Sequence, residues 1–255
     1  MTDDREKNSQ LVKAKTSSLQ KRASNIVSSG LSDLALLDVD NVKRIMDETG
    51  VSCCIDHFGS DAPEVFSEGT TIYINRDHPV YKRESANVDT HKLNVTRLIN
   101  REISLLHQAR EWSKKGFNYS RKEEYDKAIE AYTNAIALNL NYASYNNRGT
   151  AYGNKGQYDR AIEDFNKALA LEPNYADAYY SRGVAYDNKG QYARAIEDYN
   201  KALALEPNYA KAYNNRGLVY EMKGNFDKAI SDFKKACDLG NEKGCENLQR
   251  LLRQK

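Results

Sequence analysis

At 255 residues, with 38 Lys+Arg against 36 Asp+Glu, the chain carries a net charge of +2. A dedicated nucleic-acid binder needs a surplus of positive charge to displace phosphate counterions, and neither half of this chain hides one. No run approaches the ~18 apolar residues of a membrane span, and the N-terminus lacks the apolar core of a signal peptide. The four cysteines are too sparse for a small secreted disulfide scaffold, so the expected compartment is the reducing cytoplasm.

In chain order, residues 1–22 are polar with scattered basic residues and read as a flexible arm. Residues 23–108 read as a small α/β unit. Its parts are LSDLALLDVDNVKRIMDETG, a helix ending at Gly50, and VSCCID and TIYIN, short β-rich runs bounded by turn residues. Arg76-Asp77-His78-Pro79 reads as a turn. The segment HKLNVTRLINREISLL then carries Leu93, Val95, Leu98, Ile99, Ile103 and Leu106 at helical spacing, an amphipathic helix expected to run directly into the C-terminal half of the chain.

Little in this unit points to chemistry. The only histidines are His57, His78, His91 and His107, and Cys53, Cys54 and His57 lack a partner at zinc spacing. Asp77 and His78 are adjacent, and adjacent side chains usually diverge. No glycine-rich phosphate loop, nucleophile elbow or His-Glu-x-x-His is present. The expectation is no catalytic residue, no metal and no cofactor.

From about residue 109 the chain repeats. Gly149, Gly183 and Gly217 are 34 apart, with Gly116 a further 33 upstream. Ala128, Ala161, Ala195 and Ala229 follow the same steps, as do Ala135, Ala168, Ala202 and Ala236. Two aromatic slots complete the pattern: Tyr132, Phe165, Tyr199, Phe233, and Trp112, Tyr145, Tyr179, Tyr213. Within YDRAIEDFNKALAL, Tyr158, Ala161, Ile162, Phe165, Ala168, Leu169 and Leu171 form one helical stripe, leaving Asp159, Arg160, Glu163, Asp164 and Lys167 for the other face. A Lys-Gly-Gln stop separates this helix from SYNNRGTAYGN, and Pro173 and Pro207 follow the second helices. Each unit is a helix–turn–helix, and the central Gly of its first helix makes room for an aromatic of the second. Nearly all the tyrosines fall in these repeats; most occupy core slots such as Tyr119, Tyr152, Tyr186 and Tyr220 and not a base-stacking platform.

Aromatic, Gly, Tyr, Ala, Phe/Tyr, Ala and Pro at these offsets resemble the tetratricopeptide repeat (TPR) family, with four copies over residues 109–242. The resemblance implies a mainly α fold, a right-handed α-solenoid of antiparallel helix pairs, here preceded by the α/β unit. Departures sit in the outer copies. The first has Glu123 for the turn Gly and Leu140 for Pro, and the fourth has no Pro. Residues 243–255 read as a capping helix with Cys245, Leu248, Leu251 and Leu252 on one face and Arg250, Arg253 and Lys255 outside. The pair Cys237 and Cys245 is similar to the helix-bridging cysteines of secreted cysteine-rich α/α repeat proteins; without an export signal, two reduced thiols are expected. Separately, TIYINRDHPVYKR and the following helix resemble a segment accompanying gyrase/histidine-kinase-type ATPase domains. The Asn-bearing helix and Asp-x-Gly-x-Gly loop that hold Mg-ATP are missing, which implies an accessory segment without the ATPase itself.

In TPR proteins the first helices line a concave groove that binds peptides or helices of partners. The family's groove positions map here onto Arg110, Ser113, Phe117 and Arg121; Asn146, Asn147, Thr150 and Asn154; Asp177, Tyr180, Ser181, Val184 and Asn188; and Lys211, Asn214, Asn215, Leu218 and Met222. This set is rich in Asn, which both donates and accepts, with Tyr180, Leu218 and Met222 as apolar anchors. TPR co-chaperones grip the carboxylate of chaperone tails with Lys, Asn and Arg. The corresponding places hold Ser113, Phe117, Asn147, Asp177 and Ser181, of which only Asn147 fits. The resemblance therefore implies a non-catalytic scaffold with a protein or peptide partner other than a chaperone tail. An accessory part of an ATPase-type enzyme is the alternative, and self-association through an uncovered solenoid surface a further possibility.

Overall fold

The computed structural model describes residues 52–56, 65–68, 71–75 and 88–253. The arm over 1–22, the helix expected to end at Gly50 and the turn at 76–79 lie outside the described residues. The chain divides into two compact units, 1–107 and 108–255.

In the first unit, β1 (Ser52–Asp56), β2 (Val65–Glu68) and β3 (Thr71–Asn75) form a sheet of order β1-β3-β2. β1 runs parallel to β3 with Ser52 opposite Thr71, and β2 runs antiparallel to β3 with Val65 opposite Ile74. β1 and β3 are the strands expected from VSCCID and TIYIN. β2 was not anticipated, because VFSE is too short to show an alternation. Ile72, on the central strand, is fully buried.

Helix α1 (Val88–Arg121) is unbroken, so the amphipathic helix does run into the repeats. Seven paired helices and a last one come after it: α2 (Tyr125–Leu138), α3 (Tyr142–Asn154), α4 (Tyr158–Leu171), α5 (Ala176–Asn188), α6 (Tyr192–Leu205), α7 (Ala210–Met222), α8 (Phe226–Asp238) and α9 (Glu242–Leu252). The end of α1 with α2, then α3–α4, α5–α6 and α7–α8, are the four helix pairs of an α-solenoid; α9 packs on α8.

The glycines work as their positions suggest. A Cβ added at Gly116, Gly149, Gly183 or Gly217 would lie 2.7–2.8 Å from the ring of Tyr132, Phe165, Tyr199 or Phe233 respectively. These four rings are among the most deeply buried side chains, each contributing about 2–3 kcal/mol of apolar burial. Tyr119, Tyr152, Tyr186 and Tyr220 pack against the same clusters, so the core reading of the tyrosines holds.

The turns between paired helices share one hydrogen-bond pattern. The N–H of Glu124, Gln157, Gln191 and Asn225 reaches back to the carbonyl of Tyr119, Tyr152, Tyr186 and Tyr220 at 2.8–3.0 Å. That six-to-one bond needs a left-handed residue just before it. Gly156, Gly190 and Gly224 supply it with φ of 71–74°; in the first repeat Glu123 supplies it at φ 60°.

Several expectations need correction. Asp164 does not face water: it is 2 % exposed and accepts a bidentate bond from Arg148, Nε to Oδ2 at 2.7 Å and Nη2 to Oδ1 at 2.8 Å. Arg182–Asp198 and Arg216–Asp232 repeat the arrangement. Each Arg extends its third bond to the preceding repeat, on Thr133, Asn166 and Asn200. At the surface, Lys155 and Lys189 pair with Asp126 and Asp159 of the preceding repeat. Cys237 and Cys245, expected as thiols, are joined in a disulfide, because the turn between α8 and α9 brings their Cα atoms to 4.6 Å. Two leucines expected on buried stripes are exposed where their helices end: Leu171 on α4 by 38 % and Leu252 on α9 by 54 %, whereas Leu251 is buried and Leu248 packs on the last core.

Candidate partner-binding groove

First helices touch one another from repeat to repeat, α3 with α5, α5 with α7 and α7 with α9, and so form one continuous layer. The side chains projecting from that layer are the candidate site. Phe117 and Met222 are 55 % and 62 % exposed. Arg110, Arg121, Thr150, Asn154, Asp177, Asn188 and Lys211 are also exposed, and Ser113, Asn147, Tyr180, Ser181, Val184, Asn215 and Leu218 are half-buried. Asn146 and Asn214 are buried, each 6 % exposed; Asn214 is held by a bond from Asn247 of α9.

Several of these residues are engaged within the fold. Ser113 Oγ lies 3.0 Å from Ser144 Oγ. Thr150 donates to the Asn146 carbonyl and Asn188 Nδ2 to the Val184 carbonyl, each on its own helix. Val184 and Leu218 pack against the cores of the third and fourth repeats.

The polar groups concentrate toward α9. Asn247 Nδ2 donates to Asn214 Oδ1 at 3.0 Å, Asn214 Nδ2 to Asn215 Oδ1 at 3.2 Å, and Asn215 Nδ2 to the Tyr180 hydroxyl at 3.1 Å. This chain of bonds crosses α9, α7 and α5. Beside it, Tyr180 lies with ring centroid 4.9 Å from that of Tyr209, and the Tyr209 hydroxyl donates to Asp177 at 2.7 Å. Burial, then the bond to Asp177, hold the Tyr209 phenol well above its ordinary range. Burial pushes Tyr175 up to about 12, aided by the Asp177 charge, and raises Tyr180 against the opposing effect of the Asn215 bond. All three phenols stay protonated donors near neutrality.

Tyr180, Lys211, Asn214 and Asn215 meet Gly240, Asn241, Glu242 and Lys243 around an open pocket of about 450 Å³. The last four belong to the turn into α9 and its first residues, and the sequence reading assigned them no contact. A signal for the cap exists: the slot Asn146, Tyr180, Asn214, stepped by 34, is continued 33 residues on by Asn247 on α9. The cap therefore continues the first-helix layer as a fifth member. Among the described residues no group of three or more His, Cys, Asp or Glu is placed to hold a metal, and no helix is long and apolar enough to cross a membrane.

The tetratricopeptide repeat models match residues 110–142 and 210–239, and a TPR repeat model matches residues 149–190 and 188–224. No curated protein matches. Among solved structures the chain is similar to MamA, at 29 % identity over 65 % of this chain and 96 % of that one, with a TM-score of 0.49. It is also similar to the first TPR of Spaghetti (RPAP3) bound to an HSP90 peptide, at 31 % identity over 47 % of this chain and 95 % of that one, with a TM-score of 0.46. The Arabidopsis OM64 TPR domain is 28 % identical over 46 % of this chain and 98 % of that one, with a TM-score of 0.45. With its glycine-to-aromatic seats, left-handed turns and family matches from residue 110 to residue 239, the chain belongs to the tetratricopeptide repeat family.

Proposed function

We propose that this chain is a non-catalytic interaction scaffold that binds an extended or helical segment of a partner protein along the layer of first helices. The observation that carries the reading is the exposure of Phe117 and Met222. Two large apolar side chains stand on that layer, in the first and fourth repeats, outside every repeat core. Asn147 and Asn215 lie between them in sequence, each with an amide able to hold a partner's backbone or side chain. A chaperone tail is not the expected occupant, since Ser113, Phe117, Asp177 and Ser181 supply no cation where such tails are gripped.

The test pans the immobilised full chain against a random-peptide display library. In parallel it uses a Phe117→Ser, Asn147→Glu, Met222→Ser variant of unchanged helical circular dichroism. Peptide families enriched by the wild type and lost on the variant are expected. Recovery of the same families by both would place binding elsewhere.

The compartment is part of the same proposal. A cytoplasmic protein keeps its thiols reduced, whereas the Cys237–Cys245 bond needs oxidising surroundings. We place the chain in the cytoplasm and propose that this bond, formed in the structure, is a reversible one that the thiol pool there can reduce. Alkylation of the two cysteines at the moment of lysis tests that, and protected, bridged cysteines would move the protein to an oxidising compartment.

A further inference from the structure

We propose that the pocket where α5, α7 and the start of α9 meet binds a carboxylate, the side chain of an Asp or Glu in the partner segment. This rests on the groove being the binding surface and names what one part of it recognises.

Free donors outnumber free acceptors at the pocket. Every amide oxygen there already accepts a bond: Asn214 Oδ1 from Asn247, Asn215 Oδ1 from Asn214, and Asn241 Oδ1 from the Gly244 N–H. The donors are not exhausted. Each amide nitrogen carries two hydrogens, and Asn214 and Asn215 each use one within the network. The Tyr180 hydroxyl accepts from Asn215, and its own proton has no acceptor among the described residues. Asn214 is only 6 % exposed, so its remaining N–H belongs to the buried floor. On the rim, Lys211 and Lys243 have no ion-pair partner among the described residues; the negative charges nearby are Glu242 on the rim and Asp177 beside Tyr180, the latter already accepting from the Tyr209 hydroxyl. The first-turn N–H groups of α9 add to the positive potential.

A floor of donors under two ammonium groups suits a ligand that only accepts. The side chain of Asp or Glu meets that requirement better than a chain terminus. A terminal carboxylate brings its own peptide N–H within one residue, a donor for which this floor has little to offer. A side-chain carboxylate hangs on methylenes and enters alone.

The experiment titrates the ¹⁵N-labelled full chain with three probes and follows the side-chain amide signals of Asn214, Asn215 and Asn241. N-acetyl-glutamate N-methylamide carries the side-chain carboxylate, N-acetyl-glutamine N-methylamide is its neutral twin, and N-acetyl-alanine offers a terminal carboxylate. Saturable shifts with the first probe, none with the second and weaker ones with the third are expected. Lys211→Met or Lys243→Met should weaken the first probe about two- to fivefold. Equal shifts from the glutamine twin, or no saturation with the glutamate probe, would overturn the carboxylate. Tighter binding of acetyl-alanine would overturn the side-chain source. These readouts do not involve Phe117, Asn147 or Met222, so the carboxylate pocket and the groove reading fail separately.

Discussion

The first repeat and the inner repeats are built to one plan with different fittings. In α3–α4, α5–α6 and α7–α8 an Arg just before the core glycine clasps an Asp sixteen residues on, on the second helix. The first repeat has Lys115 before Gly116, and position 131, sixteen residues later, is a buried Ala. The inner turns have glycine in the left-handed position, where the first repeat forces Glu123 into it. What both share is the glycine seat for an aromatic ring. The seat is therefore the indispensable element of the repeat. The Arg–Asp clasp, which also reaches the preceding repeat, belongs where there is a preceding repeat to hold.

The largest expected effect breaks the clasp. Asp198 is 3 % exposed and neutralises an Arg182 whose side chain is 17 % exposed. Asp198→Ala leaves that guanidinium nearly buried without its counter-charge, and should cost about 3–5 kcal/mol in urea unfolding. A double change, Arg182→Met with Asp198→Leu, removes both charges and should recover most of the loss, reproducing what Ala131 already does in the first repeat. A cost below about 1 kcal/mol for Asp198→Ala would reduce the clasp to decoration.

The glycine seat should treat the two kinds of repeat alike. Gly183→Ala sets a methyl 2.8 Å from the Tyr199 ring, and Gly116→Ala sets one 2.7 Å from Tyr132. Each should lose about 1–3 kcal/mol through forced displacement of the ring, despite the helix propensity gained from alanine. If Gly116→Ala is neutral while Gly183→Ala is not, the first repeat packs more loosely than its contacts indicate.

These contrasts also show which features a sequence displays. The 34-residue step exposes the seats, because Gly and aromatic recur in fixed slots and their sizes are complementary. Asp164 was misplaced on the outer face because a helical stripe sorts residues by polarity, and a repeat helix is flanked on more than one side. Arg148 and Asp164 sit sixteen apart, a spacing that means nothing until the two helices are paired. The same blindness hid the burial of Asn146 and Asn214: a helix wheel gives direction but not the neighbour across it. The disulfide escaped for a different reason. Composition argues about compartments, whereas the turn between α8 and α9 decides whether Cys237 and Cys245 meet. Legible in advance were the two longer strands, the run of α1 into the repeats and the cap; β2 was too short to announce itself.

A smaller effect sharpens the turn comparison. Glu123 holds φ 60° where a side chain costs about 1 kcal/mol relative to glycine. Glu123→Gly should raise stability by about that amount, and Gly190→Glu should lower it similarly. Because Glu123 is exposed, no lost contact complicates the reading. A destabilised Glu123→Gly chain would mean that the extra backbone freedom of the unfolded state outweighs the relieved strain.

The smallest effect concerns the opposite end, where α9 takes over the role of a next repeat with a clasp of its own. Arg250 on α9 bonds Glu221 at the end of α7, Nη1 to Oε1 at 2.6 Å and Nη2 to Oε2 at 2.7 Å. The bond from Arg250 holds the Glu221 carboxyl below its ordinary value of 4.5, outweighing the opposing effect of burial. A carboxylate depressed on folding stabilises fully above its unfolded value, and loses that contribution as pH falls through its folded one. Since Arg250 is 43 % exposed, solvent screening keeps the contribution below about 1 kcal/mol. The stability difference between wild type and Glu221→Gln should accordingly be constant near neutrality and close toward zero as the pH drops below 4.5. A difference unchanged from neutral to acidic pH would show that Glu221 supports α9 by packing alone. The inner clasps need not follow this course, because their Asp side chains are only 3–7 % exposed. The exposed clasp at the cap is thus the place to measure what the ion pair contributes apart from burial.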